Sequence, residues 1–425
     1  MKYLFVACLL CLSVLSAVAK VPAMNKIRLT NNWEYLKGDL GGIWEAVRPA
    51  APGSSEAVPI WQPVTLPHCF NAEDAVDPDV NYYEGPGWYK TLLAIDNPYR
   101  NGRIVLDFDG AGQKTDVYVY TTHVGSHVGG YDSWNVDITD AVKAFLGSKD
   151  AKRFKGKVPL SIRCDNSRDL EMIPSDLADF NIYGGLYRYL NLVYLPEVSF
   201  EQIRLESSLS SNLKEGILKV KTSFYNPEDI RKADVTVSVY DADRKPVFSK
   251  TLEGILPLGD QLLAEMKIKN PVLWDVDVPQ LYTCELTVKT PDQTFTTEER
   301  FGFRHTEFKD KGPFFLNGKR LLLRGTHRHE DHAGVAQAMT EDMMRREMRM
   351  MKDMGVNFIR LGHYQQSEII LDLCDELGIL VWEEIPWCRG GLGGDVYKKQ
   401  ARRMLANMIV QHHNHPAVII WGLGN

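Results

Sequence analysis

The chain has 425 residues, 44% hydrophobic and 24% charged, with 33 Gly and 21 Pro. That composition excludes an intrinsically disordered chain or a fibre, and at roughly 100–200 residues per domain it predicts about two to four domains. A formal net charge of −6 argues against a dedicated nucleic-acid binder, which would carry a basic face.

Residues 1–19 read as a secretory signal peptide. Lys2 supplies a positive start, residues 3–15 are almost unbroken apolar, and Ala17-Val18-Ala19 offers small residues for cleavage. The expected location is therefore periplasmic or extracellular. The apolar run is too short to span a membrane, and Cys8 and Cys11 lie too early in it for a lipoprotein. The five later cysteines, Cys69, Cys164, Cys284, Cys374 and Cys388, are odd in number and irregularly spaced. They read as buried, reduced side chains rather than a disulfide framework.

From about Trp33 to Pro196 the chain alternates apolar and polar residues in short runs, such as 102–108, 115–120, 158–163 and 190–195. Gly, Asn, Asp and Pro separate the runs, which predicts a β-sandwich of jelly-roll type. A second β-segment, from about Glu197 to Arg304, offers strands at 218–224, 234–240, 262–268, 281–289 and 294–301. Their spacing suits an immunoglobulin-like sandwich.

Near His305 the pattern changes. Residues 320–324 predict a strand running into Gly325, and 341–354 a helix with Met344, Met348 and Met351 on one face, stopped at Gly355. A strand follows at 356–361, then a helix capped by Ser367 and ended by Gly378. Next come a strand at 379–382, a helix around 398–411 and a strand at 418–421. Repeated βα units imply parallel strands. The expected division is a leader at 1–19, a jelly roll at 20–197, an immunoglobulin-like domain at 198–304 and a barrel segment at 305–425. That last segment is about half of the roughly 250 residues of a complete (β/α)8 TIM barrel.

Reactive side chains of such barrels collect at the carboxyl ends of the strands. The first strand leads into Thr326-His327-Arg328-His329-Glu330-Asp331-His332. The second ends in Arg360, followed by His363. The third ends in Glu383-Glu384, and the fourth leads to Asn425. Four such ends in succession predict a functional cleft. His327-Arg328-His329 also invites a metal reading, but a metal-dependent hydrolase needs further ligands, and the later strands supply only His363 and two Glu. His412, His413 and His415, just before Pro416, are expected to answer the negative end of the preceding helix.

These residues resemble glycoside hydrolase family 2, which includes β-galactosidases, β-glucuronidases and β-mannosidases. The first segment carries Trp61 to Phe70 (W-x-x-V-x-L-P-H-x-F), Gly87-Trp88-Tyr89, Gly129-Gly130-Tyr131, Asp137-Ile138-Thr139 and Tyr183-Gly184-Gly185-Leu186-Tyr187-Arg188. Further on stand Phe301-Gly302-Phe303-Arg304, Leu316-Asn317-Gly318-Lys319, Leu323-Arg324-Gly325 and Ile359-Arg360-x-x-His363-Tyr364. Cys374-Asp375-Glu376-x-Gly378, Asn414-His415-Pro416 and Trp421-x-Leu423-Gly424-Asn425 complete the series. The resemblance covers nearly the whole chain after the leader, in the family's domain order.

The resemblance implies a retaining exo-β-glycosidase with two glutamates about 5 Å apart, one acid/base and one nucleophile. In the family the acid/base follows the Asn matched by Asn425, and the nucleophile lies later. Neither is among these residues, so the chain alone is expected to be inactive. What carries over is a supporting set. Asn425 matches the residue that hydrogen-bonds the sugar 2-hydroxyl, His329 and His363 the histidines lining the sugar site, and Arg360 the arginine bracing the catalytic carboxylates. Asp179 matches an aspartate that the first domain extends into the site, and Glu384 an acidic position behind the sugar-contacting groups. Thr121-Thr122-His123 stands where many members have an Asn-Gly turn.

No cofactor is implied. Metal-dependent galactosidases carry Glu-x-His after the third strand, where this chain has Pro386-Trp387-Cys388-Arg389-Gly390-Gly391, so no catalytic metal is expected. β-Galactosidase is the first expectation, with β-glucuronidase and β-mannosidase as alternatives and a non-catalytic sugar-binding remnant as the rival of another class. The expected partner is a glycoside or oligosaccharide, with no nucleic acid and no membrane span. A homo-oligomer is open for the full-length protein.

Overall fold

A computed structural model describes residues 26–49, 59–175, 177–227, 232–390 and 393–425. The expected leader lies outside them. The first sandwich pairs a six-stranded sheet, in the order Gln62–Val64, Trp33–Lys37, Pro86–Leu93, Val158–Asp165, Lys114–Val119 and Thr122–Val128, with a four-stranded one. The latter runs Ile27–Arg28, Leu190–Leu195, Arg103–Phe108, Trp134–Asp137. Strict alternation of burial along Lys114–Val119 reflects a strand with one face on the core. Leu106, Phe108, Val117, Leu160 and Leu192 from the two sheets share that core. The hairpin turn falls at Tyr120-Thr121, one residue before the expected position, because Val119 pairs with Thr122. Tyr120 takes the left-handed conformation at φ 54°.

The second sandwich sets Ser199–Leu209, Glu215–Tyr225 and Gly259–Lys269 against Pro246–Ile255, Ala233–Tyr240, Tyr282–Lys289 and Thr294–Phe301. Two of these strands leave little trace in the sequence. Pro246–Ile255 is an edge strand with no buried residue, so it has no apolar face to alternate. In Ser199–Leu209 a register shift between Phe200 and Gln202 breaks the period. Val105, Val193 and Leu195 of the first sandwich join the core of the second, so the two pack as one body.

The last segment is a parallel sheet, β1 (Gly325–Arg328), β2 (Phe358–Leu361), β3 (Leu380–Glu384) and β4 (Val418–Gly422), in that spatial order. Helices α1 (Glu341–Asp353), α2 (Glu368–Leu377) and α3 (Asp395–His412) connect the strands. The first barrel strand therefore starts later than the pattern at 320–324 predicts. Lys319–Arg320 closes a small antiparallel sheet with Thr306–Phe308 and Phe314–Leu316. Beyond it the Asn357 side chain holds the irregular backbone, accepting from Arg324 N at 2.8 Å and donating to Leu322 O at 3.1 Å.

Thr340 Oγ1 caps α1 by accepting from Met343 N, and Met344 and Met348 are buried, each contributing about 1.5–3 kcal/mol. Met351 packs at the edge of that core rather than inside it. Ser367 caps α2, a contact typically worth about 1 kcal/mol. Gly378 ends α2 at φ 67°, and a Cβ there would strike the Val276 backbone of the second sandwich. Trp274, fully buried from that same sandwich, donates Nε1–H to Asp375 O at 2.9 Å. The barrel segment is thereby seated on the second sandwich. All five described cysteines are buried and free. Among the described residues no helix is long and apolar enough to cross a membrane.

Candidate active site

The carboxyl ends of β1 to β4 gather most of the residues the sequence singles out. Successive strand residues point to opposite faces, and this divides each pair of neighbours. On β3, Glu383 turns toward α3, where His412 Nδ1 donates to its Oε2 at 2.7 Å. Glu384 turns to the other side. On β1 and just past it, His327 and His329 share one side, while Arg328 reaches back to Glu347 Oε2 at 2.8 Å and to Gln366.

Glu384 has no solvent exposure and sits between two cations or donors. Arg360 Nη2 lies 2.9 Å from both of its oxygens and Nε 3.2 Å from Oε2, a fork-like pairing. His363 Nδ1 donates to Oε1 at 2.6 Å. Arg360 also spans to Asn425, donating from Nη2 to Oδ1 at 3.0 Å, and lies over the Trp382 ring at 4.9 Å. One buried carboxylate thus sets the orientation of Arg360 and His363, and through Arg360 that of Asn425.

Asp179 arrives from the first sandwich, far away in sequence. Cys388 Sγ donates to its Oδ1 at 2.9 Å and lies 3.5 Å from Asn425 Nδ2. Arg389 Nε pairs with Asp179 Oδ2 at 2.9 Å. The Cys388 hydrogen bond first, then the charge of Arg389 and His363, hold the Asp179 carboxyl below its ordinary pKa against the effect of burial. Burial pushes the Cys388 thiol up, so it stays protonated and donates. Burial, then the neighbouring His363, lowers the pKa of His327 and His329.

Sequence reasoning missed several members of this site. Phe180, next to Asp179, stands over the histidines, with ring centroids 5.8 Å from His329, 6.2 Å from His363 and 5.3 Å from Tyr364. The nearest signal was the family-like aspartate beside it. Arg188 of the first sandwich is fully buried against Glu330 at 2.5 Å and donates to Gln365 O at 2.8 Å. Tyr183 OH donates to Asp331 Oδ2 at 2.8 Å.

Two of the three histidines before Pro416 differ from expectation. His412 and His415 answer buried carboxylates, Glu383 and Asp375, each at 2.7 Å, rather than a helix end. Two carboxylates buried under the sheet need donors more than a solvated helix terminus does.

Residues 40–196 match the sugar binding domain of glycosyl hydrolases family 2, 198–304 match glycosyl hydrolases family 2, and 307–425 match that family's TIM barrel domain. A β-glucuronidase of Bacteroides fragilis is 32% identical over 381 residues, covering 85% of this chain and 53% of that protein. A β-galactosidase of Thermoanaerobacterium thermosulfurigenes is 30% identical over 402 residues, covering 93% and 53%. A crystal structure of Parabacteroides merdae β-glucuronidase superposes with a TM-score of 0.94 at 98% identity, covering 96% of this chain and 52% of that one. The chain spans about half the length of the curated relatives it matches. Domain order, the parallel barrel strands and these matches together establish that the chain belongs to glycosyl hydrolases family 2.

Proposed function

We propose that this chain is part of a retaining exo-β-glucuronidase and that its residues bind and orient the terminal sugar. The observation that carries this reading is the meeting of Asp179 with Asn425 across Cys388. It joins the first sandwich to the carboxyl end of the barrel sheet, at the head of the Arg360–Glu384–His363 network. His329, His363 and Asp179 surround the sugar, Asn425 meets its 2-hydroxyl, and Arg360 braces the carboxylates of the reaction. The family mechanism requires two reacting glutamates besides this supporting set. A glucuronide is preferred to the galactoside first expected because of the likeness to the Parabacteroides merdae and Bacteroides fragilis β-glucuronidases.

A panel of nitrophenyl glycosides on the full-length protein tests the assignment. Turnover of the β-glucuronide, with little on the β-galactoside or β-mannoside, is expected. A β-galactosidase is the second reading, supported by the Thermoanaerobacterium relative, and preferential β-galactoside turnover would establish it instead. Export through the leader at residues 1–19 is part of the proposal. Amino-terminal sequencing of the mature protein checks it.

A further inference from the structure

β1 and the turn after β2 place three imidazoles together. The ring centroids are 5.0 Å apart for His327 and His329, 4.6 Å for His327 and His363, and 5.2 Å for His329 and His363. One ring nitrogen from each lies within 4.8 Å of the other two. We propose that His327, His329 and His363 form a binding site for a single borderline divalent transition-metal ion, of which Zn2+ is the type, and that the bound ion shuts the sugar out.

The ligand set has the right chemistry. Three imidazoles with no carboxylate among them suit Zn2+, Ni2+ or Cu2+ and not Mg2+ or Ca2+. His363 gives its Nδ1–H to the buried Glu384 at 2.6 Å, leaving the Nε2 lone pair for a metal. A carboxylate behind a ligating histidine fixes its tautomer and raises its basicity. Among the described residues neither His327 nor His329 has a hydrogen-bond partner for its ring nitrogens. Tetrahedral coordination at 2.0–2.1 Å would bring the nitrogens to about 3.4 Å from one another, an inward shift of less than about 1 Å per ring. His327 is already seated on the β2 turn, where a Cβ at Gly362 would strike its Nε2.

Two other groupings have metal-like spacing, and both are committed elsewhere. Asp179, His363 and Cys388 share His363 with the proposed site, but Cys388 and Asp179 already bond each other and Asp179 pairs with Arg389. In the set Asp372, Asp375 and His415, His415 Nδ1 is held by Asp375. The proposed ion is inhibitory, because it occupies the face where the sugar would sit. That consequence rests on the glycosidase reading of the cleft, whereas the binding itself does not.

The test uses metal-free full-length protein and Co2+ as a visible probe. Expected is a visible absorption that saturates at one equivalent, is displaced by Zn2+ and is unchanged in Cys388→Ser. His327→Ala should weaken binding by more than the roughly 10–100-fold that loss of an outer-shell partner costs. His327→Asn serves as a second variant, and thermal melts show that both are folded. A signal lost in Cys388→Ser but kept in His327→Ala, or no saturable signal in excess Co2+, overturns the site. With whichever nitrophenyl glycoside the protein hydrolyses, Zn2+ should raise KM and leave kcat unchanged, with reversal by EDTA. Saturable Co2+ binding without that competition overturns the inhibitory placement, independently of which glycoside is turned over.

Discussion

His363 donates Nδ1–H to Glu384 at 2.6 Å, and the same buried carboxylate grips Arg360 through three contacts. Arg360 on β2 and His363 just past it are therefore held from β3 rather than by their own strand.

Glu384→Gln keeps the shape and removes the charge, so Arg360 loses its counter-ion and one donor faces an amide NH2. Misplacing groups that position a substrate by about 1 Å can cost roughly 100-fold. A loss of that order in kcat/KM is expected, together with a lowered Tm. Near wild-type kinetics on the nitrophenyl substrate would show that Arg360 and His363 are positioned without Glu384.

Arg188 and Glu330 form a pair with 2% and 0% side-chain exposure between the first sandwich and the barrel segment. Removing one partner of such a pair typically destabilises by about 3–5 kcal/mol, because the other charge stays buried. Arg188→Met should lower Tm sharply, and Arg188→Met with Glu330→Gln should recover much of the loss. Equal melting of the single and double variants would refute the coupling.

His415 carries a pH dependence of stability. Burial alone would lower its pKa, but the Asp375 carboxylate and its hydrogen bond raise it from the ordinary 6.5 to about 9, with Asp372 and Glu368 adding to the effect. The His412 ring stands 5.6 Å away, and burial raises the Asp375 pKa as well. The folded protein binds the His415 proton more tightly than the unfolded chain does. This contribution is therefore complete below about pH 6.5 and lost as pH rises through about 9. Thermal melts of wild type should fall across that window more steeply than those of His415→Gln, and parallel curves would refute the assignment.

Phe180 offers an aromatic face beside His329 and His363. Phe180→Ala should raise KM about fivefold, in line with the roughly 1 kcal/mol of an aromatic contact, while kcat changes little. An unchanged KM would place the ring outside the sugar contacts.

The division between local and tertiary information runs through individual residues. Periodicity located β2, α2 and β3 to within a few residues, because buried strands and one-sided helices repeat their apolar residues at fixed spacing. It misplaced β1, whose start depends on the Asn357 side chain holding residues some 30 positions earlier. It also missed Pro246–Ile255, which has no buried face. Strand ends and family-like motifs by themselves point to Arg360, His363, Glu384, Asn425, His329 and Asp179. Their partners were not legible in the same way. The Cys388–Asp179 contact joins residues 209 positions apart, and Arg188–Glu330 joins residues 142 apart. A chain states its local preferences through spacing and composition. Which buried charge meets which donor is settled only when separate domains close on one another, since no repeat in the sequence records a contact made once.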